Sequence, residues 1–273
     1  MHSIFVLSLL TTSSAFLFET FSPRPGLEKL VNDQTDQRVV VSLDIGQDDS
    51  PQAPRLAIKD MVLDLMNESP SDKHVKMPGF NGPHPNLSAG LRRLHLVEEG
   101  SFISQLGQQF VKALNGCWEL VWREGAPAGN LICGLELPEE VQRNGAVLPK
   151  GRIYITFPVW TKETLEQMQM QKDKIMVLAS QALAEKDAEL AKMQETGNIL
   201  QKALHYRNAY AAAEKYYIQP KKQFESVPSK DEVIPFQDDL LVTTKGTVWT
   251  KILPNGKQVL LGAANLKLAP MDA

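Results

Sequence analysis

The chain has 273 residues, 43% of them apolar and 22% charged, enough to bury one core with appendages and too apolar for disorder throughout. A formal charge of -3 and a pI near 6.0 give no basic field, which sets aside nucleic-acid binding by phosphate neutralisation. Two cysteines in a chain of this length set aside a disulfide scaffold.

Residues 1–18 have the form of a signal-like presequence, with an apolar run from Ile4 to Leu10 and small residues up to Ala15. The run is too short to span a bilayer, so no transmembrane span is expected in the mature chain. Ser13-Ser14-Ala15-Phe16 resembles the cleavage motif of bipartite plastid presequences in algae with secondary plastids. Residues 19–37, with Phe21-Ser22-Pro23-Arg24-Pro25, fit the transit-like segment that follows such a site. The resemblance implies plastid (chloroplast) import, with secretion as the alternative. Two sequons, Asn67-Glu68-Ser69 and Asn86-Leu87-Ser88, matter only for a secreted chain.

Residues 38–100 read as N-terminal strands and a Pro/Gly-rich loop. The β-branched run 38–45 is a strand, and 47–51 a turn. Residues 56–66 partly alternate and partly suit a helix face, so both remain open. Three prolines and three glycines make 77–90 a loop. His74, His84 and His95 match no metal-ligand spacing, and no cofactor or metal is expected.

Residues 101–160 form the first half of a β-body: strands at 102–105, 110–123, 130–137 and 152–160. Trp118, Leu120 and Trp122 share one face, as do Ile153, Ile155 and Phe157. A hairpin turning at Ala126-Pro127 puts Cys117 and Cys133 four residues out of register, reduced and unbridged. Glu139-Glu140 and Asp238-Asp239 read as solvated turn charges. The second half, 218–273, holds strands at 240–244, 247–253 and 257–268, with Asn255-Gly256 as a type I′ hairpin turn and Gly246 at a bulge or bend. Together they predict an α+β protein: an antiparallel β-barrel or sandwich with an inserted long helix or helical hairpin.

Residues 161–217 form the helical arm. Thr161 is the expected N-cap, Gly197 the left-handed C′ residue, and Asn198 the cap of a second limb. The near-heptad, coiled-coil-like stripe Leu165, Met168, Ile175, Leu183, Leu190 and Met193 is longer than the second limb, so these are the candidate partner-binding residues. His205, Tyr206, Arg207, Tyr210, Tyr216 and Tyr217 make the second limb aromatic and basic.

Leu114-Asn115-Gly116-Cys117-Trp118-Glu119-Leu120-Val121-Trp122 resembles the opening strand of the plastid fibrillins, lipid-associated lipocalin-like proteins. The resemblance implies a barrel begun at Gly116 and plugged by Trp118. Three functions follow in order. The first is a non-catalytic plastid interaction or assembly protein whose arm binds a protein partner, in a thylakoid-associated setting. The second is a lipid or pigment carrier with Trp118, Trp122, Ile155, Phe157 and Trp249 lining a cavity. The third is an enzyme without a recognisable motif.

Overall fold

The computed structural model describes residues 27–46, 53–70, 86–88, 90–123, 126–214, 224–252 and 257–271. The presequence, the turn at 47–51, most of the 77–90 loop, His74, His84 and the Asn255-Gly256 turn lie outside the described residues.

Fifteen strands are present among them: β1 Gln37–Ile45, β2 Leu56–Leu65, β3 Asn86–Ser88, β4 Arg92–Glu98, β5 Gly100–Ser104, β6 Gly107–Val111, β7 Leu114–Arg123, β8 Gly129–Leu137, β9 Val141–Arg143, β10 Ala146–Leu148, β11 Gly151–Thr161, β12 Val233–Gln237, β13 Leu240–Thr243, β14 Lys245–Ile252 and β15 Lys257–Ala269. The helices are α1 Leu27–Asn32, α2 Lys162–Glu195 and α3 Ile199–Ala213.

Eight strands close an antiparallel barrel in chain order, β1-β2-β4-β7-β8-β11-β14-β15 and back to β1. The seam runs from Arg38 opposite Ala269 to Ile45 opposite Gly262. Chain-order neighbours need only hairpin connections, so the expected barrel is reached by an up-and-down path. β4 with β5, and β6 with β7, form one long hairpin, because Gly100–Val111 and Arg92–Trp118 continue nearly the same register. Its β5–β6 end projects past the barrel as a wing.

Alternation places Val39, Val41, Leu43 and Ile45 of β1 inward. The ambiguity at 56–66 has a local cause. Asp60 takes a left-handed φ of 58°, so Leu56 and Ile58 point inward before it, and Met61, Leu63 and Leu65 after it. One extra residue shifts the phase of the alternation, as a β-bulge does.

Both ends of the barrel are covered. Leu27 and Val31 of α1 join the core at one end. Ala146 and Leu148 of the β9–β10 hairpin join it at the other. That hairpin turns on Asn144-Gly145, whose φ values of 49° and 85° suit a type I′ turn.

Close backbone contact explains two glycines. A Cβ on Gly116 would lie 1.8 Å from the Gly134 carbonyl oxygen, and one on Gly262 would lie 2.0 Å from that of Asp44.

Several expectations need correction. β7 is the fourth stave of the barrel and not its opening strand. Gly246 is not itself the bulge. The Thr156 carbonyl and the Phe157 ring press on it, and the register shift falls between Val248 and Trp249. Trp118 faces Cys133, so the two thiols are one position apart in register and not four. Cys117, next to Trp118, points to the other face of the sheet; both cysteines are buried and they are not joined in a disulfide. Burial pushes the Cys133 thiol up to about 12.

Replacing Phe157 by Ala should lower unfolding free energy by about 3–5 kcal/mol, read from urea titration. Asp60→Gly, which suits the left-handed backbone, should change it by no more than about 1 kcal/mol.

Candidate functional site

The arm begins where β11 ends. Thr161 caps α2 as expected, its hydroxyl accepting from the Thr164 amide at 3.1 Å. At about 1.5 Å per residue the 34 residues of α2 extend roughly 50 Å, and the 15 of α3 about 22 Å. α2 ends at Glu195, where the Thr196 amide donates to the Lys192 carbonyl at 3.1 Å. Thr196 is extended, and Asn198 caps α3 by accepting from the Leu200 amide at 2.9 Å. Gly197 is not left-handed, contrary to expectation. The extended Thr196 already redirects the chain, so that conformation is not needed.

α2 packs along its length against two different surfaces. Near its start, Leu165 and Met168 are buried with Trp160, Phe224 and Val227, and Ile175 packs against that cluster. Gln169 and Lys172 donate to the carbonyls of Pro228 and Val227, each at 3.0 Å. Further along, Ala179 and Ala182 of α2 and Ala209 and Ala213 of α3 are buried where the two helices pack. Alanines allow a close approach of the two backbones. Leu183, Leu190 and Met193 are half-buried on the same face.

The expected partner-binding stripe is therefore largely engaged within the chain. The body covers its first third, and α3 the remainder. The apolar surface left exposed lies elsewhere, and the heptad argument did not identify it. On α3, Ile199 is 81% exposed and Leu200 80%, and Leu204, Tyr206 and Tyr210 are also exposed. On α2, Met170 and Val177 lie seven apart on the side opposite Ala179, both exposed. The signal in the sequence was the 199–200–203–204 spacing at the cap of α3, which continues to Tyr206 and Tyr210.

Polar contacts hold the hairpin together on its flank. His205 Nδ1 lies 2.7 Å from a Glu189 oxygen, and Lys192 donates to the other at 2.6 Å. These partners, His205 first and Lys192 second, hold the Glu189 carboxyl below its ordinary range. Tyr206 and Tyr210 rings lie 4.5 Å apart, and the Lys186 ammonium sits 5.7 Å from the Tyr210 ring.

The alternative ligand site is arranged differently. Trp118, Ile155 and Phe157 point into the barrel and are fully buried, and Trp122 nearly so. The Trp118 indole donates to the Met66 carbonyl at 3.0 Å, and the Arg92 guanidinium lies 5.3 Å from its ring. Trp249 is on the outer wall, stacked on Tyr154 with Val121 and Ile132. Among the described residues no group of three His, Cys, Asp or Glu could hold a metal ion, and no helix is long and apolar enough to cross a membrane.

A depressed folded pKa means that the Glu189 contacts stabilise the hairpin fully above the ordinary carboxylate range and are lost as pH falls below it, through the lowered value of the folded state. Protection of the α3 amides, taken relative to intrinsic exchange at each pH, should therefore fall on acidification, and Glu189→Gln should remove most of that dependence while the protection of the barrel amides stays unchanged. No family model, no curated protein and no solved structure matches the chain.

Proposed function

We propose that this chain is a non-catalytic interaction protein of the plastid, in which a sealed barrel carries a helical arm that binds a protein partner. The observation that supports it is the surplus apolar surface of α3. Ile199, Leu200, Leu204, Tyr206 and Tyr210 stand in solvent although the inner face of the hairpin is already covered. Burying a Leu or Ile side chain gains about 1.5–3 kcal/mol, so such a surface favours a neighbour that covers it. A helix presenting apolar groups at three- and four-residue spacing is a common form of protein recognition.

The carrier reading would need the inward side chains to line a cavity. Trp118, Ile155 and Phe157 are at 0% exposure, which favours a solid core over a ligand chamber. Plastid import rests on the presequence resemblance, and N-terminal sequencing of the native protein tests it.

A photo-crosslinking residue at position 203, exposed on the same face of α3, should trap a defined protein in the native organelle, and one at position 166, on the solvent side of α2 near its base, should not. Leu200→Lys with Leu204→Lys should reduce that adduct at least about tenfold without shifting the thermal midpoint. An adduct indifferent to these substitutions would sink the proposal.

A further inference from the structure

The β5–β6 wing carries a second exposed surface, at the end of the barrel away from the arm. β8 pairs with β7 as far as Leu114 opposite Glu136 and stops at Leu137, and Pro138 follows. Proline cannot donate to a ladder and suits a strand end. Among the described residues, β6 thus has β5 on one side and no strand on the other.

The wing's hairpin closes with Ser104 opposite Gly107 across two turn residues. In a two-residue hairpin that flanking pair is hydrogen-bonded, so Gln108 and Phe110 direct their backbone N–H and C=O groups to the open edge. The outward face of the wing carries Ile103, 70% exposed, and Phe110, 59% exposed, beside Ser101 and Gln108, and its turn carries Leu106, 90% exposed. Phe102 and Val111 face the other way and are buried in the body.

Open edges are usually guarded by lysine, proline or a bulge, and this one is not. Residues 100–111, GSFISQLGQQFV, contain no charge and no proline, and the register of β5 with β6 is unbroken. Charges appear only at the margins, in Glu98, Glu99 and Lys112.

We propose that the wing is a self-association surface, on which β6 of one copy pairs antiparallel with β6 of a second copy about a two-fold axis. Two features select a second copy. A strand docking here must be uncharged and must have an open edge of its own, and the chain's own wing meets both conditions. A two-fold axis also satisfies both open edges at once, because an isologous antiparallel pair exchanges the same groups in each direction.

The paired edge is short, the five residues Gly107–Val111 in each copy, with Phe110 and its symmetry mate on one face of the extended sheet, so the pair is a weak one.

Sedimentation velocity on the full chain, from about 1 to about 100 μM, should show a concentration-dependent rise from monomer to dimer, as expected for micromolar affinity. Phe110→Lys and Ile103→Lys should each weaken association at least about tenfold, and Leu204→Lys on the arm should leave it unchanged. On the unsubstituted protein, exchange at the Gln108 and Phe110 amides should slow with concentration, which tests the pairing without a variant. A chain that stays monomeric throughout overturns the proposal and leaves the edge to a strand of another protein. So does an association that survives both wing substitutions and disappears with Leu204→Lys.

Discussion

Closure of the barrel by β1 against β15 is the contact on which the rest depends. The eight paired positions from Arg38–Ala269 to Ile45–Gly262 join the first and last staves. Without that seam two long strands would expose their edges and their inward Val, Leu and Ile side chains together. With it, the inward row is sealed, and α1 and the β9–β10 hairpin need only cover the two mouths. The glycines at 116 and 262 belong to the same economy of space. Each lies where one backbone presses on another, at Gly134 and Asp44.

A sealed barrel also determines how the arm can be carried. α2 leaves from the end of β11, and β13 pairs with that same end through Val159–Val242 to Thr161–Leu240. The insertion thus starts and finishes on adjacent strands, and the barrel is not interrupted. Trp160, Phe224 and Val227 grip the first two turns of α2, while the Lys162 amide donates to the Asp239 carbonyl at 3.0 Å. Beyond Ile175 the element packed most extensively on α2 is α3. Among the described residues the arm therefore has a fixed root and a tip held by its own hairpin, where alanine packing and the His205–Glu189–Lys192 cluster supply the contacts.

Much of this was legible in the residues. Alternation located β1, β8 and β11, though the run at 110–123 is divided between β6 and β7, and cap chemistry placed Thr161, Glu195 and Asn198 correctly, because those signals depend on neighbours in sequence. The phase break at Asp60 was visible but ambiguous, since a bulge mimics a helical period over a few residues. The Asn144-Gly145 turn was equally readable and was missed, because its strands have only three residues each. What could not be read was which apolar row on the arm would be covered. Leu165 and Met168 are buried by Phe224 and Val227, about sixty residues downstream, and no local pattern records such a contact. The same limit hid the open edge of β6, which exists only because β8 stops at Leu137.

The placement of the two exposed surfaces has a consequence for assembly. The arm leaves the barrel at the Thr161 end of β11 and the wing projects at its Gly151 end, about 36 Å apart for eleven residues at roughly 3.3 Å each. Between them lies the barrel, with its row of buried apolar side chains. A pair of chains joined through β6 would carry two arms, each leaving from the far end of its own barrel. Such a dimer could hold two partners, or two sites on one, with an effective concentration set by rigid bodies and not by a flexible linker. In that proposed dimer, weak contacts at the wing and on α3 would reinforce each other, which is how modest apolar areas at two ends can add up to a stable assembly.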